Sequence, residues 1–199
     1  MTKIKICGLF RMKDIEYANE AKPDYIGFVF AKSKRRVTLH QAMEYRKYLN
    51  KEIEVVGVFV NEDIDYIVNL LENKAIDIVQ LHGGESEEYI NKLKCKIFCP
   101  IIKAVEVNST QDIIKSKHTV ADYLLLDQGK GGTGKSFDWS LIPKLEKKIF
   151  LAGGVDETNL NKALREVNPY VVDISSGVES NGEKDREKIL KIVREIRNV

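Results

Sequence analysis

Cys7 and Asp127 are the two side chains in this sequence best suited to proton transfer, because each stands where an apolar, strand-like run gives way to a loop. Cys7 closes the run from Ile4, and Asp127 follows Tyr123 to Leu126. Two further segments, KIFLAGGVDETN at 148–159 and YVVDISSGVES at 170–180, end their apolar runs in small residues: Gly153 and Gly154 in the first, Ser175, Ser176 and Gly177 in the second. Small residues after a strand let backbone N–H groups approach a ligand closely, and a helix N-terminus behind them adds partial positive charge. Glycines after one strand are as often a plain turn, but two adjacent units on the same plan describe a grip for phosphate. A thiol and a carboxyl flanking that grip could act as general base and acid on a phosphorylated sugar, provided one is ionised and the other protonated. A free thiol, with a reference pKa near ~8.5, is only a few per cent thiolate at neutral pH unless helped. Lys5 lies two residues earlier, on the same face of the strand, and offers that charge. The alternative for Cys7 is a small buried hydrophobe, the commoner fate of a cysteine. An aspartate ending an apolar strand, by contrast, has to meet water, a donor or a cation. A lone carboxyl has its reference pKa at about 3.9, so an acid role for Asp127 requires surroundings that hold its proton, or action through a small protonated fraction.

The elements that would position these groups recur along the whole chain. Eight apolar, β-branched runs stand out: Ile4–Cys7, Tyr25–Phe30, Val55–Val60, Ile76–Leu81, Ile97–Val105, Tyr123–Leu126, Ile149–Leu151 and Tyr170–Ile174. Near-continuous hydrophobic runs fit strands buried on both faces, as in a parallel sheet covered by helices. Between them lie helical segments such as EDIDYIVNLLE and EKDREKILKIVREIR, the latter with Ile189, Ile192, Val193 and Ile196 on one stripe. Eight strands alternating with helices in 199 residues predict one compact (β/α)8 barrel, of the TIM-barrel kind, over residues 1–199. A doubly wound open sheet shares the alternation, but it would place phosphate glycines after the first strand. Here they follow the seventh and eighth, the usual phosphate position in a barrel. Closure would also set strands seven and eight between strands six and one, with Asp127 and Cys7 on the two sides of the grip.

Composition narrows the function classes. Thirty-two basic residues against 30 acidic ones leave a net charge of +2, without the global field of a nucleic-acid binder. The local cluster Lys32, Lys34, Arg35, Arg36 follows the second strand, which favours an anion clamp over the pocket rather than a solvated loop; it has no interleaved aromatics to suggest nucleic acid. No apolar run approaches the about 20 residues that would span a bilayer, and MTKIKICGLF lacks the continuous apolar core of a signal peptide. Cys7, Cys95 and Cys99 form no metal-ligand pattern, and so sparse a set suits a reducing cytoplasm. His82, before Gly83 and Gly84, reads as a loop-positioning or pocket-lining residue, and His40 and His118 as surface positions. Metal catalysis is not indicated. Oligomeric state is left open, with a monomer slightly favoured.

Read together, KICGL (5–9), GFVF (27–30) followed by SKR, VGVFVN (56–61), VQLHG (79–83), LLLD (124–127), GGTGKSFDW (131–139), LAGGV (151–155) and VDISSGVES (172–180) resemble the phosphoribosylanthranilate isomerase family over almost the whole chain. The resemblance implies a cytoplasmic enzyme of tryptophan biosynthesis that performs an Amadori rearrangement of a phosphorylated sugar–anthranilate without a cofactor. By the same resemblance Asp127 is the general acid, Cys7 the general base, Gly153, Gly154, Ser176 and Gly177 the phosphate site, Asp173 a neighbour of the reacting sugar, and His82 a pocket residue. Arg35 matches the family arginine that meets the anthranilate carboxylate, but Arg36 stands where an aromatic residue is usual, and either could reach it. Phe10 replaces a threonine common in the family. The related histidine-pathway isomerase resembles a two-aspartate pair instead, and a non-catalytic phosphosugar sensor would have no need of both Cys7 and Asp127.

Overall fold

The computed structural model describes residues 1–129 and 137–198. Eight strands close into a parallel barrel: β1 (Lys3–Cys7), β2 (Tyr25–Val29), β3 (Glu54–Phe59), β4 (Ile78–Leu81), β5 (Ile101–Glu106), β6 (Tyr123–Asp127), β7 (Ile149–Leu151) and β8 (Val171–Ile174). Each pairs with the next, and β8 returns to β1 in a register that sets Lys5 opposite Asp173. The described helices are α1 (Met12–Ala21), α2 (Leu39–Tyr48), α3 (Ile64–Glu72), α4 (Glu87–Lys94), α5 (Thr110–Ser116), α6 (Leu160–Glu166) and α7 (Arg186–Arg197). Between β6 and β7 the described residues hold only a 3-10 turn, Trp139–Leu141. A short hairpin, β9 (Glu179–Ser180) with β10 (Glu183–Lys184), follows a 3-10 turn after β8.

The helices form where the apolar stripe and the caps agree. α7 buries Ile189, Ile192, Val193 and Ile196, and the Asp185 carboxylate accepts from the backbone N–H of Lys188 at its start, satisfying a donor that the helix itself cannot. The start of β5 departs furthest from its apolar run, at Ile101 rather than Ile97. Ile97 instead continues the end of α4, its N–H donating to Leu93 O at 3.1 Å, and the proline at 100 marks the turn into the strand.

Alternation along the strands sorts side chains into two cores. One set packs between barrel and helices, including Ile4, Ile6, Phe28, Phe59, Leu81, Leu126 and Leu151. The other fills the barrel from below: Tyr25, Val56, Ile78, Ile102, Leu125, Phe150 and Val171. Two residues further along the same strands, the inward positions become Gly27, Val58, Gln80, Ala104, Asp127, Ala152 and Asp173. An apolar plug at the N-terminal end thus supports polar groups at the C-terminal end.

Candidate active site

A cavity of about 270 Å³ opens at the C-terminal ends of the strands, and its lining includes Cys7, Arg35, Gln80, His82, Asp127, Gly153, Gly154, Asp173, Ser176 and Gly177. Its deepest charges are Lys5 and Asp173. Lys5 is fully buried, and its Nζ lies 2.7 Å from Asp173 Oδ2. Burial works against the lysine's charge, but Asp173 and Cys7 together outweigh it and raise its pKa. Lys5 therefore stays a cation beside the thiol. Cys7 keeps part of its surface open to the cavity, yet it is enclosed closely enough that burial pushes its thiol up, with Lys5 the strongest opposing influence. Gly27 sits opposite Cys7 on β2, and a Cβ there would meet Cys7 Sγ at 2.6 Å. The missing side chain makes the room that the thiol occupies.

On the far side of the cavity Asp127 ends β6. Its Oδ1 accepts from the N–H of Gln128 at 2.7 Å, and its Oδ2 lies 3.3 Å from His82 Nε2. His82 Nδ1 in turn meets Gln80 Nε2 at 2.9 Å. Gly153 permits the close packing here: with φ +77° it takes a left-handed backbone, and a Cβ would meet Asp127 Oδ1 at 2.9 Å.

The loops after β7 and β8 carry the small residues between these two walls. Gly154 also has a left-handed backbone, at φ +71°. Gly177 lies against the neighbouring loop, where a Cβ would meet Val155 O at 2.4 Å. A 3-10 turn, Ser176–Val178, stands behind the second unit, and α6 starts only at Leu160, after a turn in which the Asn159 side chain donates to Gly154 O at 2.8 Å. Both units are thus loop backbone, with no α-helix directly behind either among the described residues.

Arg35 arches over Gly8, whose left-handed φ of +79° and absent Cβ leave it space; a Cβ would meet Arg35 Cδ at 2.6 Å. Its Nε and Nη2 donate to the two oxygens of Glu179 at 2.8 and 2.7 Å, a fork-to-carboxylate pair. Glu179 also accepts from Lys184 Nζ at 2.6 Å, and Lys184 donates to Ser175 O at 2.9 Å. Burial opposes the Glu179 charge, but its bonds to Arg35 and Lys184 prevail and lower its pKa. Burial pulls the pKa of Lys184 down despite Glu179. Arg36 is exposed and bridges to Val29 through its backbone; the cavity lining includes Arg35 and not Arg36.

The structure thus brings together Cys7, Asp127, His82, Asp173, Arg35 and the four small residues. Of the segment GGTGKSFDW, residues 131–136 lie outside the described residues. Gln80, Glu179, Lys184, Gly8 and Gly27 are participants that sequence reasoning missed. Their one available signal was position: Gln80 stands two residues before His82, and Glu179 directly follows the SSGV of the grip. Among the described residues no cluster of three or more His, Cys, Asp or Glu could hold a metal ion. A larger recess at the opposite end of the barrel, lined by Met1, Pro143, Lys148 and Tyr170 among others, contains none of these groups.

Fold and cavity together define a barrel of the class that works on small molecules at the C-terminal ends of its strands. Residues 4–195 match the family model for N-(5'-phosphoribosyl)anthranilate (PRA) isomerase, and the chain belongs to that family. It is 50% identical over 203 residues to the N-(5'-phosphoribosyl)anthranilate isomerase of Endomicrobium trichonymphae, with 100% of both chains covered. The crystal structure of phosphoribosyl anthranilate isomerase from Thermus thermophilus is similar at a TM-score of 0.89 and 28% identity, over 99% of each chain. A second, of phosphoribosyl anthranilate isomerase in complex with reduced 1-(o-carboxyphenylamino)-1-deoxyribulose 5-phosphate, is similar at a TM-score of 0.85 and 32% identity, over 100% of each.

Proposed function

We propose that this chain is an isomerase of tryptophan biosynthesis that converts N-(5'-phosphoribosyl)anthranilate into 1-(2-carboxyphenylamino)-1-deoxyribulose 5-phosphate by an Amadori rearrangement. The observation that carries the reading is that Cys7, Asp127 and the small residues of both loops line one cavity. The substrate's phosphate binds among Gly153, Gly154, Ser176 and Gly177. Glu179 occupies Nε and Nη2 of Arg35, and Nη1 is left to meet the anthranilate carboxylate. Asp127 protonates the furanose oxygen while the anthranilate nitrogen pushes the C1'–O bond open, giving an iminium. Cys7 as thiolate removes the C2' proton, which the iminium makes acidic, and the resulting enolamine becomes the ketone. Positioned acid and base groups contribute typically ~10²–10⁴-fold each. C1' is reduced and C2' oxidised within one molecule, two electrons passing from C2' to C1', so the chemistry asks for no external electron acceptor. Asp173 lines the same cavity with its Oδ2 held by Lys5, beside the reacting sugar.

No helix among the described residues is long and apolar enough to cross a membrane. The mechanism needs Cys7 as a free thiol, and all three cysteines are free, which fits a reducing cytoplasm as the site of action.

Loss of the substrate's fluorescence on incubation with the purified chain tests the reading. Wild-type protein should consume it far faster than buffer, and Cys7→Ser should lower kcat by ~10²-fold or more with KM nearly kept. Consumption no faster than in buffer would sink the assignment. A near-normal Cys7→Ser enzyme would move the base elsewhere, with Asp173 the next candidate.

A further inference from the structure

We propose that His82 and Asp127 hold the catalytic proton as a pair, with Gln80 as the swivel that serves His82 in both of its charge states; this rests on the function proposed above. His82 Nε2 stands 3.3 Å from Asp127 Oδ2, and Gln80 Nε2 stands 2.9 Å from His82 Nδ1. With the amide in this orientation Nδ1 is the acceptor, so the neutral imidazole carries its hydrogen on Nε2, facing Asp127. When the imidazole takes a second proton, Nδ1 becomes a donor, and the amide has to turn its oxygen toward it. That oxygen is ready. Gln80 is 1% exposed, and its Oε1 has no hydrogen-bond partner among the described residues. A buried amide oxygen left unpaired is costly, and protonation of His82 relieves that cost after a half-turn of the amide.

Two strands turn carboxylates toward the recess that His82 lines. Asp127 faces it from β6, and Glu106 on β5 lines the same recess. Lys103 on β5 is engaged elsewhere, with Nζ on Gly83 O at 2.6 Å and on Glu85 at 2.8 Å, and β3 presents Val58 and Val60 to the cavity. An imidazolium beside a carboxylate and an imidazole beside a carboxylic acid differ only by the place of one proton. From the imidazolium form one proton passes from Nε2 to Oδ2 and from there to the furanose oxygen, leaving a carboxylate and a neutral imidazole with its hydrogen on Nδ1, donated to Gln80 Oε1; exchange with solvent and the return half-turn of the amide restore the Nε2–H form. The side chain of His82 is 28% exposed against 13% for Asp127, so the pair reloads from solvent through the imidazole. His82 therefore acts through Asp127 as a positioning and proton-storing residue.

The pH profile of kcat/KM carries a distinctive signature. Turnover needs the thiol ionised and the pair loaded at once, so one inflection of the profile belongs to the thiol and the other to the pair. The inflection of the pair is the one that moves when His82 is replaced.

In His82→Gln one inflection of the profile should move to lower pH by about one unit or more while the other stays, with the maximum rate falling as well. A loss of activity with the inflection unmoved, or no change at all, overturns the proposal while leaving the isomerase reading intact. Nitrogen NMR of His82 gives a second arm that needs neither turnover nor a folded His82 variant. The imidazole should carry its hydrogen on Nε2 when neutral, and Asp127→Asn should lower the pH at which it takes a second proton. An unmoved titration in that variant also overturns the pairing. Absence of turnover by wild-type protein, with the NMR coupling present, would instead defeat the proposed function and spare the pair.

Discussion

Lys5 and Asp173 meet at 2.7 Å across the seam between the first and last strands of the barrel, with side chains 0% and 6% exposed. A buried ion pair is weak evidence for stability, because desolvation offsets most of the attraction. Its position two residues below Cys7 gives it a different use, as a fixed positive charge that opposes the burial raising the thiol. Lys5→Met should push the thiol further up, moving the thiol's inflection of kcat/KM to higher pH and lowering the rate at neutral pH. The variant should also lose ~3–5 kcal/mol of stability, since Asp173 is left buried and alone. Lys5→Met with Asp173→Asn should recover much of that stability without the activity. Denaturant melts and thiolate absorbance against pH measure the two effects separately.

The two neighbouring arginines separate by the same logic of burial. Arg35→Ala should cost on the order of 2–4 kcal/mol in kcat/KM, as for loss of a buried charged hydrogen bond, while Arg36→Ala costs less than about 0.5 kcal/mol, as is usual at an exposed site. Steady-state kinetics on both variants decide it. The reverse ranking would place the clamp on Arg36.

Glu179 makes stability depend on pH in a defined sense. Its bonds to Arg35 and Lys184 lower its pKa in the folded protein, so its contribution is present above the unfolded value of about 4.3 and is lost as pH falls through the folded one. Glu179→Gln should therefore be less stable than wild type at neutral pH by ~1–3 kcal/mol. The gap should close in acid. A gap that stays constant down to the acid transition would show that the charge of Glu179 is not what holds Arg35 and Lys184.

Gly153 and Gly154 should fail differently. A Cβ at position 153 would press on Asp127 Oδ1 and on the N–H of Gln128, so Gly153→Ala should lower kcat, by up to ~10²-fold if the acid is displaced by about an ångström. Gly154→Val should raise KM about tenfold, roughly 1.4 kcal/mol of lost phosphate binding, and weaken competitive inhibition by inorganic phosphate in step. An unchanged KM in Gly154→Val would remove the phosphate from this loop.

Much of the fold was legible beforehand, because a parallel barrel writes its strands as near-continuous apolar runs. Cys7 and Asp127 could be assigned to the open end since such runs and their final residues mark strand and strand end, whatever the helices do, whereas Asp173 was marked only by the family resemblance. What stayed hidden depends on contacts between distant segments. Glu179 and Lys184 sit in the charged stretch ESNGEKDREK, which reads as the solvated start of a helix. Only the hairpin of β9 and β10 turns Lys184 inward, and only the barrel brings Glu179 to an arginine 144 residues away. Gly27 read as one more strand residue until the thiol opposite it claimed its missing side chain. Gln80 could equally have been a polar residue at the rim. The start of β5 was misjudged because Ile97 is as apolar as a strand residue, and hydropathy cannot tell the tail of a helix from the head of a strand when a proline stands between them.

Under the proposed function, the closure of β8 on β1 also governs when the protein can act. The thiol, its lysine and Gly8 come from the first strand and its loop, while Asp173, Ser176, Gly177 and Glu179 come from the last, with Lys5 and Asp173 168 positions apart. A chain still emerging from the ribosome holds the proposed base without the proposed phosphate loops, and contacts so far apart in sequence are among the slow ones to form. In the finished protein the same seam is the proposed point of failure. A fluctuation that parts these two strands would separate Cys7 from the β8 loop and from Glu179, the partner of Arg35, in one event, and on that reading would silence the chemistry while the other strands remain paired.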